Sequence, residues 1–175
     1  VTTNLKTTAP LSGVTIQALD YQQTVLAEAT STTEGITREG FAKNHPGGLL
    51  GKHLSAVDRY MRPLDKCAVV PLNASVLDTT MRITEQKCGV ALVTDEHGKL
   101  MGLFTDGDLR RVLAHDPGDV SAAIEFHMTR NPQSILSGSS VERALDVMRT
   151  HHINDLPVLS KDGTVLGYVE LQDIA

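Results

Sequence analysis

The stretch Gly102-Leu103-Phe104-Thr105-Asp106-Gly107-Asp108-Leu109-Arg110-Arg111 holds the richest local set of residues capable of specific chemistry in this sequence. An apolar run feeds directly into a polar, helix-compatible one, the pattern of a strand entering a helix. Thr105 stands where the helix N-cap falls, with Asp108 three positions later. Two uses of that spacing stay open. In one, Thr105 and Asp108 satisfy each other's backbone donors as a variant capping box. In the other, the free N–H groups and partial positive charge of the helix N-terminus hold a phosphate, Thr105 adds a hydroxyl, and Asp108 accepts hydrogen bonds from a ribose diol. Asp106 and Asp108 form an acidic pair, but nothing supplies a nucleophile or an opposing acid, so no catalytic set is complete.

The elements that carry this motif occur twice. Ser75-Val76 recurs as Ser140-Val141, Val93 as Val158, Gly98 as Gly163, Gly102 as Gly167 and Asp108 as Asp173, each displaced by 65 positions. Upstream, Met61-Arg62-Pro63 answers Met128-Thr129-Arg130-Asn131-Pro132 at a displacement of 67, which a two-residue indel explains. Paired units of this length bury their faces against each other, and the cleft between them is the first place to look for a ligand. In the second copy the motif reads Gly167-Tyr168-Val169-Glu170-Leu171-Gln172-Asp173. Asp173 is kept, but Glu170 replaces Thr105. A carboxylate there repels phosphate, so the two related sites are expected to differ.

Residues 1–13 read as irregular. Val14, Ala18, Tyr21, Val25 and Leu26 recur at helical spacing without Pro or Gly, which predicts an amphipathic helix over Val14–Ala29. Thr37 can cap a short helix through Phe41 and Ala42, and His45-Pro46-Gly47-Gly48 then breaks regularity. In the first copy the pattern predicts a strand over 67–70, a helix from Ser75, a strand over 90–94, a hairpin turn, a strand over 100–104 and a helix over 107–114. The second copy repeats this with a helix over 141–150 and strands over 156–159 and 164–169. Each copy has the order β-α-β-β-α. The apolar positions Val76, Leu77, Thr80, Val141, Leu145 and Met148 serve either internal packing between the copies or a self-association face.

With 16 Lys and Arg against 21 Asp and Glu, the net charge of −5 argues against a nucleic-acid or membrane-surface binder, which needs a concentrated cationic face. There is no Trp, with three Tyr and three Phe, so the core is aliphatic. No window approaches the roughly 18 apolar residues of a membrane span, and the N-terminus lacks a secretory pattern. Cys67 and Cys88 sit among apolar neighbours and read as small buried hydrophobes in a reducing cytosol. His151 and His152 are adjacent and project about 100° apart on a helix, so they do not share a metal, and no His or Cys spacing marks a metal site.

The Met61-Arg62-Pro63 and Met128-Thr129 starts, the Gly-containing hairpins, Leu156-Pro157-Val158-Leu159 and Thr105-x-x-Asp108 together resemble a tandem CBS domain pair, the Bateman module. The run Phe41-Ala42-Lys43-Asn44-His45-Pro46-Gly47-Gly48-Leu49-Leu50-Gly51-Lys52-His53-Leu54 resembles the end of the sugar-isomerase (SIS) domain of D-arabinose 5-phosphate isomerases, where an H-P-G-G-x-x-G run joins SIS to CBS. The resemblance implies an α+β chain: tandem CBS domains over 55–116 and 117–175, behind a helical tail of an α/β SIS domain over 1–54. It implies ligand contacts from Thr105, Asp106 and Asp108 in the first site and from Asp173 alone in the second. His45 falls on the family's active-site histidine. The implied role is regulatory, with no required cofactor and an adenosine nucleotide or CMP-Kdo as ligand. The parent reaction would interconvert ribulose 5-phosphate and arabinose 5-phosphate, toward Kdo and lipopolysaccharide. The implied protein is a cytoplasmic homo-oligomer, built through its CBS pairs and SIS domain; its parent is the isomerase, and this chain alone is expected to be inactive. Two alternatives remain: His45 completes a neighbouring subunit's active site, or the pair is a purely structural oligomerisation module.

Overall fold

Runs of Val, Leu and Ala with little polar interruption form the strands of two four-stranded sheets in the computed structural model. The structure describes residues 15–19, 25–30 and 49–175, and the chain divides into two compact units, Val1–Leu54 and Ser55–Ala175.

In the first unit, β1 (Thr15–Leu19) and β2 (Val25–Thr30) pair antiparallel, Thr15 opposite Thr30 and Ala18 opposite Ala27, with an irregularity between Ala18 and Leu19. This corrects the helix expected over Val14–Ala29. Its apolar residues do satisfy a helical spacing, but Thr15, Ile16, Val25 and Thr30 are β-branched and cluster at the two ends, with polar Asp20, Gln22 and Gln23 between. Such side chains fit a pleated strand better than a helix, where their χ1 freedom is lost. A short helix α1 (Leu49–Leu54) ends the unit, so the expected helical tail contains a strand pair. Thr37, Phe41, Ala42 and His45-Pro46-Gly47-Gly48 lie outside the described residues.

In the second unit the first copy runs β3 (Arg62–Pro63), β4 (Ala68–Pro71), α2 (Val76–Gln86), β5 (Val90–Thr94), β6 (Leu100–Thr105) and α3 (Asp106–His115). The second runs β7 (Thr129–Arg130), β8 (Ile135–Leu136), α4 (Val141–His151), β9 (Asp155–Leu159), β10 (Val165–Glu170) and α5 (Leu171–Ile174). Ser75 and Ser140 cap α2 and α4, accepting from the N–H of Asp78 at 2.9 Å and of Arg143 at 3.2 Å. Both helices end on a left-handed residue that is not glycine, Lys87 at φ 52° and His152 at φ 53°.

The two copies exchange their lead-in segments. The sheet orders are β4-β5-β6-β7 and β3-β10-β9-β8, so β7 completes the first copy's sheet and β3 the second's. Thr129 and Arg130 lie opposite Leu103 and Gly102, while Arg62 and Pro63 lie opposite Tyr168 and Gly167. The repeated glycines make room for this. A Cβ on Gly102 would come within 2.9 Å of Thr129 O, and one on Gly167 would strike Arg62 O. Val70 faces Val93 and Ile135 faces Val158, a displacement of 65, whereas β3 and β7 correspond at 67. The two additional residues therefore belong to the first copy, between β3 and β4, where Leu64–Lys66 form a 3₁₀ turn.

Packing follows the exchange. Val57, ahead of the first copy, is buried in the second copy's core with Val141, Leu145, Met148 and Val169, and its counterpart Ile124 is buried in the first copy's core with Val76, Phe104 and Val112. Full burial of each contributes about 2 kcal/mol, so neither copy closes its core unaided. A third cluster, with Val90, Leu92, Leu103, Val165 and Tyr168, joins the sheets. Of the apolar helix positions, Val76, Val141, Leu145 and Met148 are thus taken by internal packing, while Leu77 and Met81 stay 52% and 54% exposed. Both cysteines are free thiols, and burial pushes the Cys67 thiol up to about 12. No helix among the described residues is long and apolar enough to cross a membrane.

Candidate functional site

The N-terminus of α3 opens into a cleft of about 710 Å³ whose walls come from both copies of the second unit. Thr105, Asp106, Gly107, Asp108, Arg110 and Arg111 line it from the first copy. Thr129, Asn131 and the run His151–Asp155 line it from the second.

Asp108 is 4% exposed, and its Oδ2 accepts hydrogen bonds from the Thr105 N–H at 2.8 Å and the Thr105 hydroxyl at 2.7 Å. Its Oδ1 accepts from the Arg111 guanidinium. The Thr105 and Asp108 side chains are therefore bonded to each other at the N-cap, and this arrangement keeps binding capacity. The Thr105 oxygen retains acceptor capacity beyond the capping box it makes with the Asp108 N–H, a carboxylate takes about four hydrogen bonds of which three are made, and the N–H groups of Asp106 and Gly107 have no intrahelical partner. Asp106, at the first helical position, is exposed to the cleft. Asp173 is exposed on α5, outside the residues that line this cleft.

The corresponding place in the second copy is filled. Glu170, the counterpart of Thr105, lies 3.7 Å from Arg62, accepts the Tyr168 hydroxyl at 2.8 Å and accepts the Gln172 amide. The Arg62 guanidinium also stands 5.9 Å over the Tyr168 ring. At the equivalent positions the open site carries Thr129 for Arg62, Leu103 for Tyr168, Thr105 for Glu170 and Gly107 for Gln172, a smaller side chain each time. The repulsion expected from Glu170 is thus offset, because its charge is already paired with Arg62.

Charge in the open cleft is divided. Arg110 and Arg111 sit on α3, and His151 and His152 at the end of α4. Asp155 begins β9 opposite Glu170 on β10, and burial, reinforced by the Glu170 charge, pushes its carboxyl up to about 6. Sequence reasoning missed it. The available signal was the repeat itself, since the first copy has apolar Val90 where the second has Asp155.

The folded value of Asp155 lies above the ordinary 3.8, so folding favours the protonated form, and stability present below about pH 4 is lost as pH rises through about 6. Asp155→Asn is expected to raise stability by about 1–2 kcal/mol at pH 7, after discounting for solvent screening, and to change nothing near pH 4. Urea unfolding at the two pH values measures this. An equal shift at both would disprove the assignment.

Comparison with known proteins agrees with this geometry. The CBS-domain sequence pattern matches residues 57–115 and 120–175. The chain is 34% identical to the arabinose 5-phosphate isomerase KdsD of Pseudomonas aeruginosa, over 95% of this chain and 51% of that protein. It is also 34% identical to the arabinose 5-phosphate isomerase GutQ of Escherichia coli K12, over 85% and 46%. It therefore spans about half the length of the curated relatives it matches. Among solved structures, the CBS domain pair of MJ0100 in complex with 5′-methylthioadenosine and S-adenosyl-L-methionine superposes with a TM-score of 0.63 at 25% identity, covering 69% of this chain and 93% of that one. CBSX2 in complex with AMP gives a TM-score of 0.61 at 22% identity, with coverage of 69% and 93%. With two matched segments, exchanged lead-in strands and a cleft between its halves, the chain belongs to the CBS-domain family as a tandem pair.

Proposed function

We propose that this chain is the regulatory part of a D-arabinose 5-phosphate isomerase and that its cleft at α3 binds one nucleotide or nucleotide-sugar per CBS pair. The observation that carries the reading is the contrast between the sites: the place at Thr105 and Asp108 is open, and its counterpart is filled by Arg62, Tyr168, Glu170 and Gln172. The phosphate sits at the N-terminus of α3 beside Thr105, where Arg110, Arg111 and the helix terminus offset the Asp106 carboxylate, and the ribose hydroxyls meet Asp108. Asp173 belongs to the filled site and is left without a ligand role. The adenosine ligands of MJ0100 and CBSX2 support an adenosine nucleotide, and CMP-Kdo is the alternative as a downstream product fit for feedback control. Isomerisation itself belongs to an SIS domain to which residues 1–54 contribute the end. The same reading makes the protein a cytoplasmic homo-oligomer, with Leu77 and Met81 as its exposed apolar face; α4 carries Glu142 and Asp146 at the equivalent positions.

Calorimetry with AMP and with CMP-Kdo tests the reading. Wild type is expected to bind one of them at one site per chain, and Asp108→Ala to weaken it about tenfold or more, the scale of losing hydrogen bonds to a charged acceptor. Thermal melts of the variant separate this from loss of the α3 cap. Equal affinity in the two proteins would remove Asp108 from the site, and no binding of either ligand would leave the structural oligomerisation module as the better reading.

A further inference from the structure

We propose that Asp155 sets the specificity of the cleft: its carboxylate accepts a hydrogen bond from an amino group on the ligand's base, so an amino-bearing base is selected. This rests on the nucleotide reading of the cleft. Asp155 lines the same space as Thr105 and Asp108 but comes from the other copy, at the start of β9. Unlike Asp108, whose three hydrogen bonds are internal, the half-buried Asp155 carboxylate makes none among the described residues. Its counterpart in the filled site is Val90, so the acid is particular to the open one.

The placement also fixes ligand direction. A phosphate is repelled by Asp155, which has no cation paired with it among the described residues, whereas at α3 the carboxylates of Asp106 and Asp108 are offset by Arg110, Arg111 and the helix N-terminus, so the phosphate lies toward α3 and the base toward β9. At that end a half-buried acceptor without a partner rewards a donor and penalises any group that leaves it desolvated and unpaired. The 6-amino group of adenine and the 4-amino group of cytosine are such donors.

Charged groups around Asp155 shape the test. Glu170 faces it from β10 and is paired with Arg62, His151 and His152 come from the end of α4, and Asp106, Asp108, Arg110 and Arg111 from α3. A ratio of two ligands with the same phosphate cancels what all of these groups contribute to phosphate binding.

The experiment measures AMP and CMP, each against the 5′-monophosphate analogue lacking only the exocyclic amine, with wild type, Asp155→Ala, Asp155→Asn and Asp108→Ala at pH 7.5. Wild type is expected to prefer the amino form by about tenfold for the base it binds. Asp155→Ala should bring that ratio near one, and Asp155→Asn should lower it at least threefold because its amide competes as a donor. Asp108→Ala should weaken both members alike and keep the ratio. Binding that depends on Asp108 with a wild-type ratio near one, or a ratio surviving in Asp155→Ala, overturns the Asp155 assignment and leaves the cleft reading standing. Failure of all four ligands and of CMP-Kdo to bind wild type overturns both.

Discussion

Thr105→Glu is expected to weaken binding of AMP or CMP-Kdo by at least a hundredfold, the largest effect of any single change in the cleft. The substitution copies what the second copy already does at Glu170, but without the partner that makes Glu170 tolerable. Glu170 is paired with Arg62 at 3.7 Å and held by Tyr168 and Gln172, whereas the positions around Thr105 carry Thr129, Leu103 and Gly107. An unpaired carboxylate about 4 Å from a phosphate costs about 4 kcal/mol at an effective dielectric of about 20, which exceeds any gain from one added hydrogen bond. Adding Thr129→Arg supplies the missing cation. The double variant should recover the thermal stability lost by the single one while binding stays absent, because the site is then filled as its counterpart is. Calorimetry and melts on the two variants measure both quantities, and single-variant affinity within threefold of wild type would remove the phosphate from Thr105.

Which features were legible in the sequence follows from how local their causes are. The strand over Val90–Thr94 and the helices expected from Ser75 and over 141–150 depend on neighbours within a few residues, and the predicted and observed elements agree there. The β3 and β7 exchange depends on partners far along the chain. Two-residue strands such as Arg62–Pro63 and Thr129–Arg130 carry no periodicity of their own. Its trace was indirect, in Gly102 and Gly167 at the same displacement, each needed where another backbone approaches.

The site divides in the same way. Thr105 and Asp108 were legible because a strand-to-helix junction places them by local geometry. Asp155 was not, because its importance comes from the facing copy, and its sequence neighbours Leu156-Pro157-Val158 mark only a buried strand. The plug of Arg62 and Glu170 was also hidden. Arg62 reaches the second copy only through the exchanged strand, so Glu170 read in isolation resembles a repulsive charge when it is half of an ion pair.

The other large effect concerns His45. In a protein that carries this chain behind a complete SIS domain, His45→Ala is expected to lower kcat for ribulose 5-phosphate isomerisation by about a hundredfold or more, the scale of losing a general acid or base. His45 lies outside the described residues. Aldose–ketose isomerisation moves a proton between adjacent sugar carbons, and an imidazole with a near-neutral pKa is suited to both halves of that transfer. Nucleotide binding at Asp108 should be unaffected, because the cleft draws its lining from residues 89–155. Loss of turnover with intact binding separates catalysis from regulation, and mixing His45→Ala subunits with subunits inactivated elsewhere in the SIS domain asks whether His45 serves its own active site or a neighbour's: recovered activity assigns it to the neighbour. Turnover unchanged in His45→Ala would make the histidine a linker residue and end the catalytic assignment, while the nucleotide cleft at α3 would stand on its own geometry.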